Sequence, residues 1–206
     1  MIDISIQKTL KAGHHQLPLD VKLQVETGSV TAIHGPSGAG KTTFLKIVAG
    51  LVTPASGHIK INNDVWFDAS VGINLTPQER HVGFVFQNYA LFPNMTVRQH
   101  LGYACNDTAW IDDLLQIGGL LHLQNSKPEY LSGGQQQRLA ILRAMSIKPK
   151  LLLMDEPFSA LDAQTKHEVI VALKRFWRQH GTTVLIVTHY KEELKDLASS
   201  ELWIGG

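Results

Sequence analysis

One glycine-rich loop constrains this chain more than any other feature, and it reads Gly35-Pro36-Ser37-Gly38-Ala39-Gly40-Lys41-Thr42. The loop matches G-x-x-x-x-G-K-[ST] in full, between a buried-strand pattern at 30–34 and a helical pattern at 42–50. Its glycines can adopt backbone angles that turn successive amides inward around a phosphate. A strand, this loop and a helix in succession therefore predict an α/β fold with a phosphate site at the start of the helix.

The residues of this loop have separate expected tasks. Lys41 can reach the β and γ phosphates of a nucleotide, and the Thr42 hydroxyl can ligate Mg²⁺. The alternative is a turn that only caps a helix, and the Lys-Thr pair with both flanking elements argues against it. We expect nucleotide contacts from the whole loop and the next threonine: Gly35, Pro36, Ser37, Gly38, Ala39, Gly40, Lys41, Thr42 and Thr43.

A second apolar run, 151–154, ends in the two carboxylates Asp155 and Glu156. Because ligands bind at the carboxyl ends of strands in open α/β sheets, both carboxylates are candidates for the phosphate site. We predict that Asp155 holds the Mg²⁺ shell, and that Glu156 orients the attacking water and accepts its proton. Taken alone, Asp-Glu after a strand is usually a solvated loop; the phosphate loop upstream favours the site.

The rest of the chain divides by its apolar pattern. Alternation at 2–6 and 21–25 predicts half-buried strands, whereas the continuous apolar runs 151–155 and 183–188 predict parallel strands buried on both faces. Between about 88 and 146 helical periodicity replaces the strand pattern. We therefore expect a single domain over 1–206, in which an α/β core with antiparallel strands (1–87 and 147–206) is interrupted by a helical subdomain (88–146).

Composition limits the classes of partner. The net charge is +1, from 19 basic and 18 acidic residues, so we expect no nucleic-acid partner. The single cysteine, Cys105, allows no internal disulfide, which suits a reducing compartment. The start of the chain shows no signal peptide, and no run approaches the ~20 apolar residues of a membrane helix. A role at a membrane would thus require a separate membrane subunit.

The segment Leu131-Ser132-Gly133-Gly134-Gln135 opens a further predicted helix, with Ser132 as its N-cap. Taken alone it is an ordinary helix cap. With Gln87 after a strand, 159–162 (Ser-Ala-Leu-Asp) and His189 at a strand end, it resembles the signature set of the nucleotide-binding subunit of ABC transporters. The resemblance covers essentially the whole chain, with the motifs in the family's order. It implies a P-loop NTPase core of the RecA type.

The resemblance also implies roles and partners. Ser132 and Gly134 of one subunit would complete the γ-phosphate site on the loop of another, in a head-to-tail homodimer linked by Asp162. ATP and Mg²⁺ are the implied cofactors. The implied catalytic residues are Glu156, His189, Gln87 and Lys41, and the implied metal ligands are Thr42, Gln87 and Asp155. The partners would be integral-membrane permease subunits and, indirectly, a periplasmic or lipoprotein solute-binding protein, with this chain peripheral at the cytoplasmic face of the plasma membrane.

The segments 66–80 and 82–93 are similar to the ATP-binding subunits of bacterial molybdate importers, especially in the pattern Asp-Ala-x-x-Gly-Ile-x-Leu-x-Pro. Sulfate, polyamine or another small solute is the alternative. A soluble ABC ATPase of DNA repair or translation would tend to show a long coiled coil, zinc-binding cysteines or a second ATPase unit. A scaffold that does not hydrolyse is disfavoured by Lys41, Asp155, Glu156 and His189.

One departure from the family concerns the base of the nucleotide. The family usually stacks adenine on an aromatic residue before the phosphate loop, but no Phe, Tyr or Trp precedes Phe44 here. His14 and His15 lie in about the right segment and could stack weakly. We therefore expect GTP to be accepted more readily than in typical members.

Overall fold

The computed structural model describes residues 1–12, 15–189, 194–195 and 197–205, except the side chains of 11, 12 and 15. His14 lies outside the described residues, as does the side chain of His15, so their predicted contact with a base stays a prediction. The strands of the described part are β1 (Ile2–Ala12), β2 (His15–Val25), β3 (Val30–His34), β4 (Ser56–Ile61), β5 (Asp64–Asp68), β6 (Ile73–Asn74), β7 (Gly83–Val85), β8 (Leu151–Asp155), β9 (Thr183–Val187) and β10 (Ser200–Trp203). The α-helices are α1 (Lys41–Val48), α2 (Pro77–Arg80), α3 (Val97–Gly102), α4 (Thr108–Ile117), α5 (Gly133–Ser146) and α6 (Ala163–His180), and short 3₁₀ helices span Leu121–Leu123 and Pro128–Tyr130.

A parallel sheet in the order β10-β3-β9-β8-β7 forms the centre of the described fold. The strands β3, β8 and β9 are buried at every position, as their continuous apolar sequences predict. Successive side chains point to opposite faces of a strand, so each strand contributes to two cores. Leu151, Leu153 and Leu185 pack into one core, whereas Leu152 and Met154 pack into the other.

An antiparallel sheet in the order β2-β1-β4-β5-β6 covers the first of these cores. In the long β1–β2 hairpin Ile2 pairs with Val25 and Ala12 with His15. Alternate residues of its strands are apolar and pack with the buried face of α1 against the parallel sheet. The phosphate loop, between β3 and α1, therefore lies at the junction of the two sheets.

The chain between β7 and β8 contains only helices, turns and loops in the described residues. Helix α5 packs its apolar face into the second core with α3, α4 and α6. The indole of Trp110 on α4 donates a hydrogen bond to the carbonyl of Ser146 at the end of α5 (3.1 Å). The division of the chain at 88 and 146 into separate subdomains stays a prediction.

The predicted fold class is confirmed: a parallel α/β core is joined to an antiparallel sheet and interrupted by helices. Several short elements were not predicted, namely β5, β6, β10, α2 and α3, because each is too short to show a period. In the part of the chain that the structure describes, no helix has the length and apolar character needed to cross a membrane.

Candidate functional site

The phosphate loop follows β3 directly and has the backbone that its glycines predict. Gly35, Gly38 and Gly40 have φ angles of 148°, 80° and 99°, in the region that favours glycine. At Gly35 a side chain is also excluded by packing, since a Cβ there would lie 2.1 Å from the carbonyl oxygen of Ile204 after β10. The loop conformation therefore depends on a close approach from the far end of the chain.

Lys41 lies inside this loop and is only 6% exposed. Its ammonium donates hydrogen bonds to the carbonyl oxygens of Gly35 (2.9 Å) and Pro36 (2.8 Å). These acceptors are neutral, so the positive charge of Lys41 is not cancelled by them. An anionic phosphoryl group that entered the loop would meet a cation already held in position.

Thr42 and Asp155 form a buried oxygen pair behind the loop. The Thr42 hydroxyl donates to Oδ2 of Asp155 at 2.7 Å, and Asp155 is 2% exposed. Burial raises the pKa of the Asp155 carboxyl above its ordinary value, the negative charge of Glu156 acts in the same direction, and the Thr42 hydrogen bond opposes both. A divalent cation beside the carboxylate would favour its ionised form and so offset the free-energy cost of burying that charge.

The donor set of this pair fits Mg²⁺. Hydroxyl and carboxylate oxygens are the hard ligands that Mg²⁺ prefers, usually one or two from protein with the remainder from phosphate and water. The described residues contain no group of three His, Cys, Asp or Glu side chains placed to hold a metal by themselves. Thr42 and Asp155 would thus form part of a site that the predicted ligand Gln87 and the substrate phosphates would complete.

Glu156 and His189 meet because they follow neighbouring parallel strands, β8 and β9. The Glu156 carboxylate contacts Nε2 of His189 at 2.9 Å. Glu156 has a left-handed backbone, with φ at 51°, and its amide donates to the carbonyl of Val187 (3.0 Å). A non-glycine residue in this conformation is uncommon, and such strain concentrates at functional sites. The tertiary structure therefore holds this side chain in an unusual direction, against His189.

Gln87 follows β7, the neighbour of β8 on its other side, and lines the same cavity as the loop and the Glu156–His189 pair. We call this space the catalytic cavity, after the predicted catalytic residues that line it, and its volume is about 440 Å³. Its lining residues are Leu10, Leu17, Ser37, Gly38, Gly40, Lys41, Thr42, Thr43, Gln87, Glu156, Val187 and His189. The structure therefore brings together the predicted catalytic residues. The predicted residues Gly35, Pro36, Ala39 and Asp155 are not among the lining residues; Ala39 and Asp155 are buried, whereas Pro36 is exposed.

Ser132, Gly134 and Asp162 are not among the residues that line the catalytic cavity. Ser132 and Asp162 are exposed at the starts of α5 and α6, and each caps its own helix: Ser132 Oγ accepts from the Gln135 amide (3.3 Å) and Asp162 accepts from the Thr165 amide (3.0 Å). A Cβ at Gly134 would lie 3.4 Å from the Ala160 carbonyl, so the two helix starts are close together. We call this surface, made of Ser132, Gly134 and Asp162, the signature face.

Gln137, a residue that was not predicted, connects the signature face to the catalytic cavity. Its side chain is 1% exposed; it donates to the Glu156 carbonyl (3.1 Å) and Ser159 Oγ (3.2 Å), and it accepts from the Ala160 amide (3.0 Å). A sequence signal existed, because positions 137, 140, 141 and 144 have helical spacing and share one buried face of α5, and Gln137 is the polar residue among these four. A polar residue in such a stripe needs buried hydrogen-bond partners.

A groove of about 500 Å³ along α6 is larger than the catalytic cavity, but contains none of the predicted site residues. It is lined mainly by α6, with Ile117 from the end of α4. The convergence of a phosphate loop, the strand-end carboxylate of Glu156, Gln87 and a histidine distinguishes the catalytic cavity as the candidate site.

The chain is similar to known proteins in both sequence and fold. A family model described as ABC transporter matches residues 19–159. The molybdenum import ATP-binding protein ModC of Haemophilus ducreyi is 42% identical over 200 residues, which are 96% of this chain and 56% of that protein. The sulfate/thiosulfate import ATP-binding protein CysA of Mesostigma viride is 40% identical over 196 residues, 91% of this chain and 55% of that protein. The chain thus spans little more than half the length of these curated relatives.

Among solved structures, the dimeric post-hydrolysis state of an ATP-binding cassette bound to ADP and Pi matches with a TM-score of 0.83 and 31% identity, covering 99% of this chain and 94% of that one. A second dimeric structure, of a bacterial ABC transporter cassette, matches with a TM-score of 0.82 and 32% identity, over the same shares of the two chains. Family model, relatives and fold all agree with the motifs, and the chain belongs to the ABC transporter family as an ATP-binding cassette.

Proposed function

We propose that this chain is the ATP-hydrolysing subunit of an importer and that its hydrolysis of Mg-ATP energises the uptake of an oxyanion, molybdate. The observation that carries the proposal is the catalytic cavity, where the phosphate loop meets Gln87, Glu156 and His189 at the ends of three neighbouring strands. The name and identity of the molybdenum import relatives support the solute.

The proposed chemistry uses positioning and charge. The loop amides and Lys41 would bind the phosphates, and Thr42, Asp155 and Gln87 would hold Mg²⁺, which would supply positive charge against the phosphates. Gln87 and Glu156 orient the attacking water, and Glu156 accepts its proton. His189 contacts the γ-phosphate, and its contact with Glu156 at 2.9 Å keeps both side chains at the same point of the cavity.

We further propose a head-to-tail homodimer in which the signature face of one copy completes the catalytic cavity of the other. The N-terminus of α5 supports this role, because its unpaired amides and helix dipole favour an anion. In the proposed assembly the dimer docks at the cytoplasmic face of the membrane on permease subunits, which receive the solute from a solute-binding protein. Both solved neighbours are dimeric cassettes, in agreement with this arrangement.

The hydrolytic part is tested by phosphate release from the purified chain with ATP and Mg²⁺. Lys41→Ala should reduce nucleotide binding by at least about a hundredfold, since a buried charge-assisted contact contributes roughly 3 kcal/mol or more. The control is Lys150→Ala, at an exposed lysine just before β8 and at the opposite end of that strand from Asp155, with expected binding and turnover like the wild type. Retained hydrolysis in Lys41→Ala would contradict the phosphate-site assignment.

Sulfate or thiosulfate is the second candidate solute, favoured by the CysA relatives at 40–42% identity. To distinguish molybdate from sulfate, the chain is affinity-purified from solubilised membranes and the permease bound to it is identified. The complex is then reconstituted in proteoliposomes with its solute-binding protein, and ATP hydrolysis is measured with each solute. We expect molybdate to stimulate ATP hydrolysis and sulfate to have little effect. Stimulation by sulfate alone would replace molybdate and leave the hydrolytic assignment intact.

A further inference from the structure

We propose that Leu10 and Leu17 form the surface on which the nucleotide base packs, and that this aliphatic contact leaves the site nearly indifferent to the identity of the base. This inference rests on the proposed nucleotide-binding function. The two leucines lie in the part of the catalytic cavity that the bound phosphates would not occupy.

The two leucines are neighbours across the β1–β2 hairpin. Leu10 pairs with Leu17 in the antiparallel register, so their side chains lie on the same face of the sheet. The same face carries Ile6 and Leu19, which are buried in the core below. Leu10 and Leu17 are only half-buried, since the core ends beneath them while the apolar face of the hairpin continues.

The hairpin contacts the phosphate loop at Gly40. A Cβ at this position would lie 2.6 Å from Cδ1 of Leu10 and 3.2 Å from Cδ1 of Leu19, so both leucine side chains pack closely against this glycine. The contact places Leu10 directly against the loop that would bind the phosphates. Because both leucines line the catalytic cavity with Gly38 and Thr43, a nucleotide with its phosphates in the loop would have its base within reach of them.

The lining of this cavity is chemically divided. Its polar side chains come from the loop and the strand ends, whereas the hairpin contributes only Leu10 and Leu17 to the described lining. No Phe, Tyr or Trp of the described chain lines the cavity, and none precedes Phe44 in the sequence. The third apolar residue of the described lining, Val187, is only 1% exposed, so the half-buried hairpin leucines are the apolar surface available to a base.

An aliphatic surface can bury a base but cannot distinguish its edges. Adenine and guanine differ at their hydrogen-bonding groups, and leucine offers neither a donor nor an acceptor to them. Apolar pockets discriminate poorly between such ligands, whereas strong rejection requires buried polar groups that would be left unpaired. We therefore expect the dissociation constants of ATP and GTP to agree within about tenfold.

The test measures equilibrium binding of ATP, GTP and inorganic tripolyphosphate, which has the phosphates without a base. Leu10→Ala/Leu17→Ala should weaken ATP and GTP by a similar factor, about tenfold, and leave tripolyphosphate unchanged. Leu17→Trp should tighten both nucleotides by about tenfold, because an aromatic ring can stack on any base. Leu121→Ala, at an exposed leucine remote from the loop, is the matched control.

The outcomes separate the two levels of the proposal. A wild-type preference for ATP over GTP above fiftyfold, or unchanged ATP binding in both leucine variants, would overturn the base surface while the phosphate site stands. Failure of the wild type to bind either tripolyphosphate or ATP would refute the nucleotide site itself. If the double alanine variant unfolds, Leu17→Trp decides the question: tighter binding of both nucleotides supports the base surface, and unchanged binding overturns it.

Discussion

The catalytic cavity and the signature face are built in opposite ways. In the cavity, functional side chains contact each other or the loop: Lys41 bonds the carbonyls of its own loop, and Glu156 contacts His189. On the signature face, Ser132 and Asp162 are exposed and bond only the helices that they cap in the contacts described above. The side chains of the cavity are thus held in place by contacts within one chain. The signature face instead presents two helix N-termini, which favour an anion, to another molecule.

The difference indicates how the proposed chemistry is controlled. If a single chain holds the phosphate loop, Glu156 and His189 together, the binding of a nucleotide does not require a partner. Completion of the site by the signature face would then require a second copy. Binding and turnover should consequently respond differently to changes in the two regions.

Glu156→Gln should have the largest effect on turnover. The amide keeps the size of the side chain but cannot accept a proton, so we expect hydrolysis to fall by roughly 10²–10⁴-fold with ATP binding retained. Phosphate release and equilibrium binding measure the two quantities, and size-exclusion chromatography should show an ATP-bound dimer. The control is Glu168→Gln on the exposed surface of α6. Unchanged turnover would remove Glu156 from the role assigned to it.

Ser132→Arg tests the signature face. The bulky side chain should block approach of a second copy, so we expect turnover to fall by roughly a hundredfold while each chain binds ATP normally. Ser132→Ala separates bulk from loss of the hydroxyl: it removes the cap hydrogen bond, worth about 1 kcal/mol, and the proposed phosphate contact, but should still form dimers because it adds no bulk. Light scattering with ATP reports the dimer. If Ser132→Arg closed into dimers like the wild type, completion of the site by a second copy would be wrong.

Gln137→Ala tests the connection between the two regions. It removes the acceptor of the Ala160 amide and the donor to the Glu156 carbonyl, both in the interior, so we expect a loss of about 1–3 kcal/mol in the free energy of unfolding. A displaced Glu156 should lower kcat by about tenfold. Because Gln137 does not line the cavity, KM for ATP should stay the same.

Two further variants sharpen this prediction. Gln137→Glu keeps an acceptor for Ala160 but loses the donor to Glu156, so its kcat should be reduced while the position of Ala160 is preserved. Gln179→Ala, at an exposed position on α6, controls for loss of the side chain alone. A rise in KM without a change in kcat would show that Gln137 acts on nucleotide binding instead.

His100→Gln should have the smallest effect and concerns the loop that follows Gln87, which His100 contacts at Phe92. His100 is fully buried; its Nε2 accepts from the Phe92 amide at 2.9 Å and its Nδ1 donates to the Thr96 carbonyl at 2.8 Å, an arrangement that requires the neutral ring. Burial lowers the pKa of His100 below its usual 6.5, and the positive charge of Arg143 acts in the same direction.

The sign of the pH dependence follows from this lowered pKa. Between the folded pKa and 6.5 the unfolded chain binds the proton and the folded chain does not, so this stabilisation is present above 6.5 and declines as the pH falls. At pH 7.5 we expect the free energy of unfolding of His100→Gln to be about 1 kcal/mol below that of the wild type. This difference should become smaller at pH 5. Thermal unfolding of both proteins at the two pH values measures this difference. A difference that did not depend on pH would contradict a neutral His100.

Much of the fold was open to prediction because its signals are local. Continuous apolar runs gave β8 and β9, and the Ser132 cap placed the start of α5 where the structure has it. The elements that were missed, such as β6 and α2, hold two and four residues and are defined by their neighbours. Gln137 was missed for a related reason: its partners at 156–160 are distant in sequence, and only α5 packing brings them together.

The sequence by itself determined which residues could do chemistry, because a phosphate loop needs glycines, a lysine and a threonine in fixed order, and a strand end needs carboxylates. The tertiary structure alone decided which of them meet. Neighbouring parallel strands place Glu156 against His189, and the β1–β2 hairpin places Leu10 on Gly40, while Ser132 is left on a separate surface. The physical reason is that motifs follow backbone rules along the chain, whereas contacts between distant residues depend on how the sheets and helices pack.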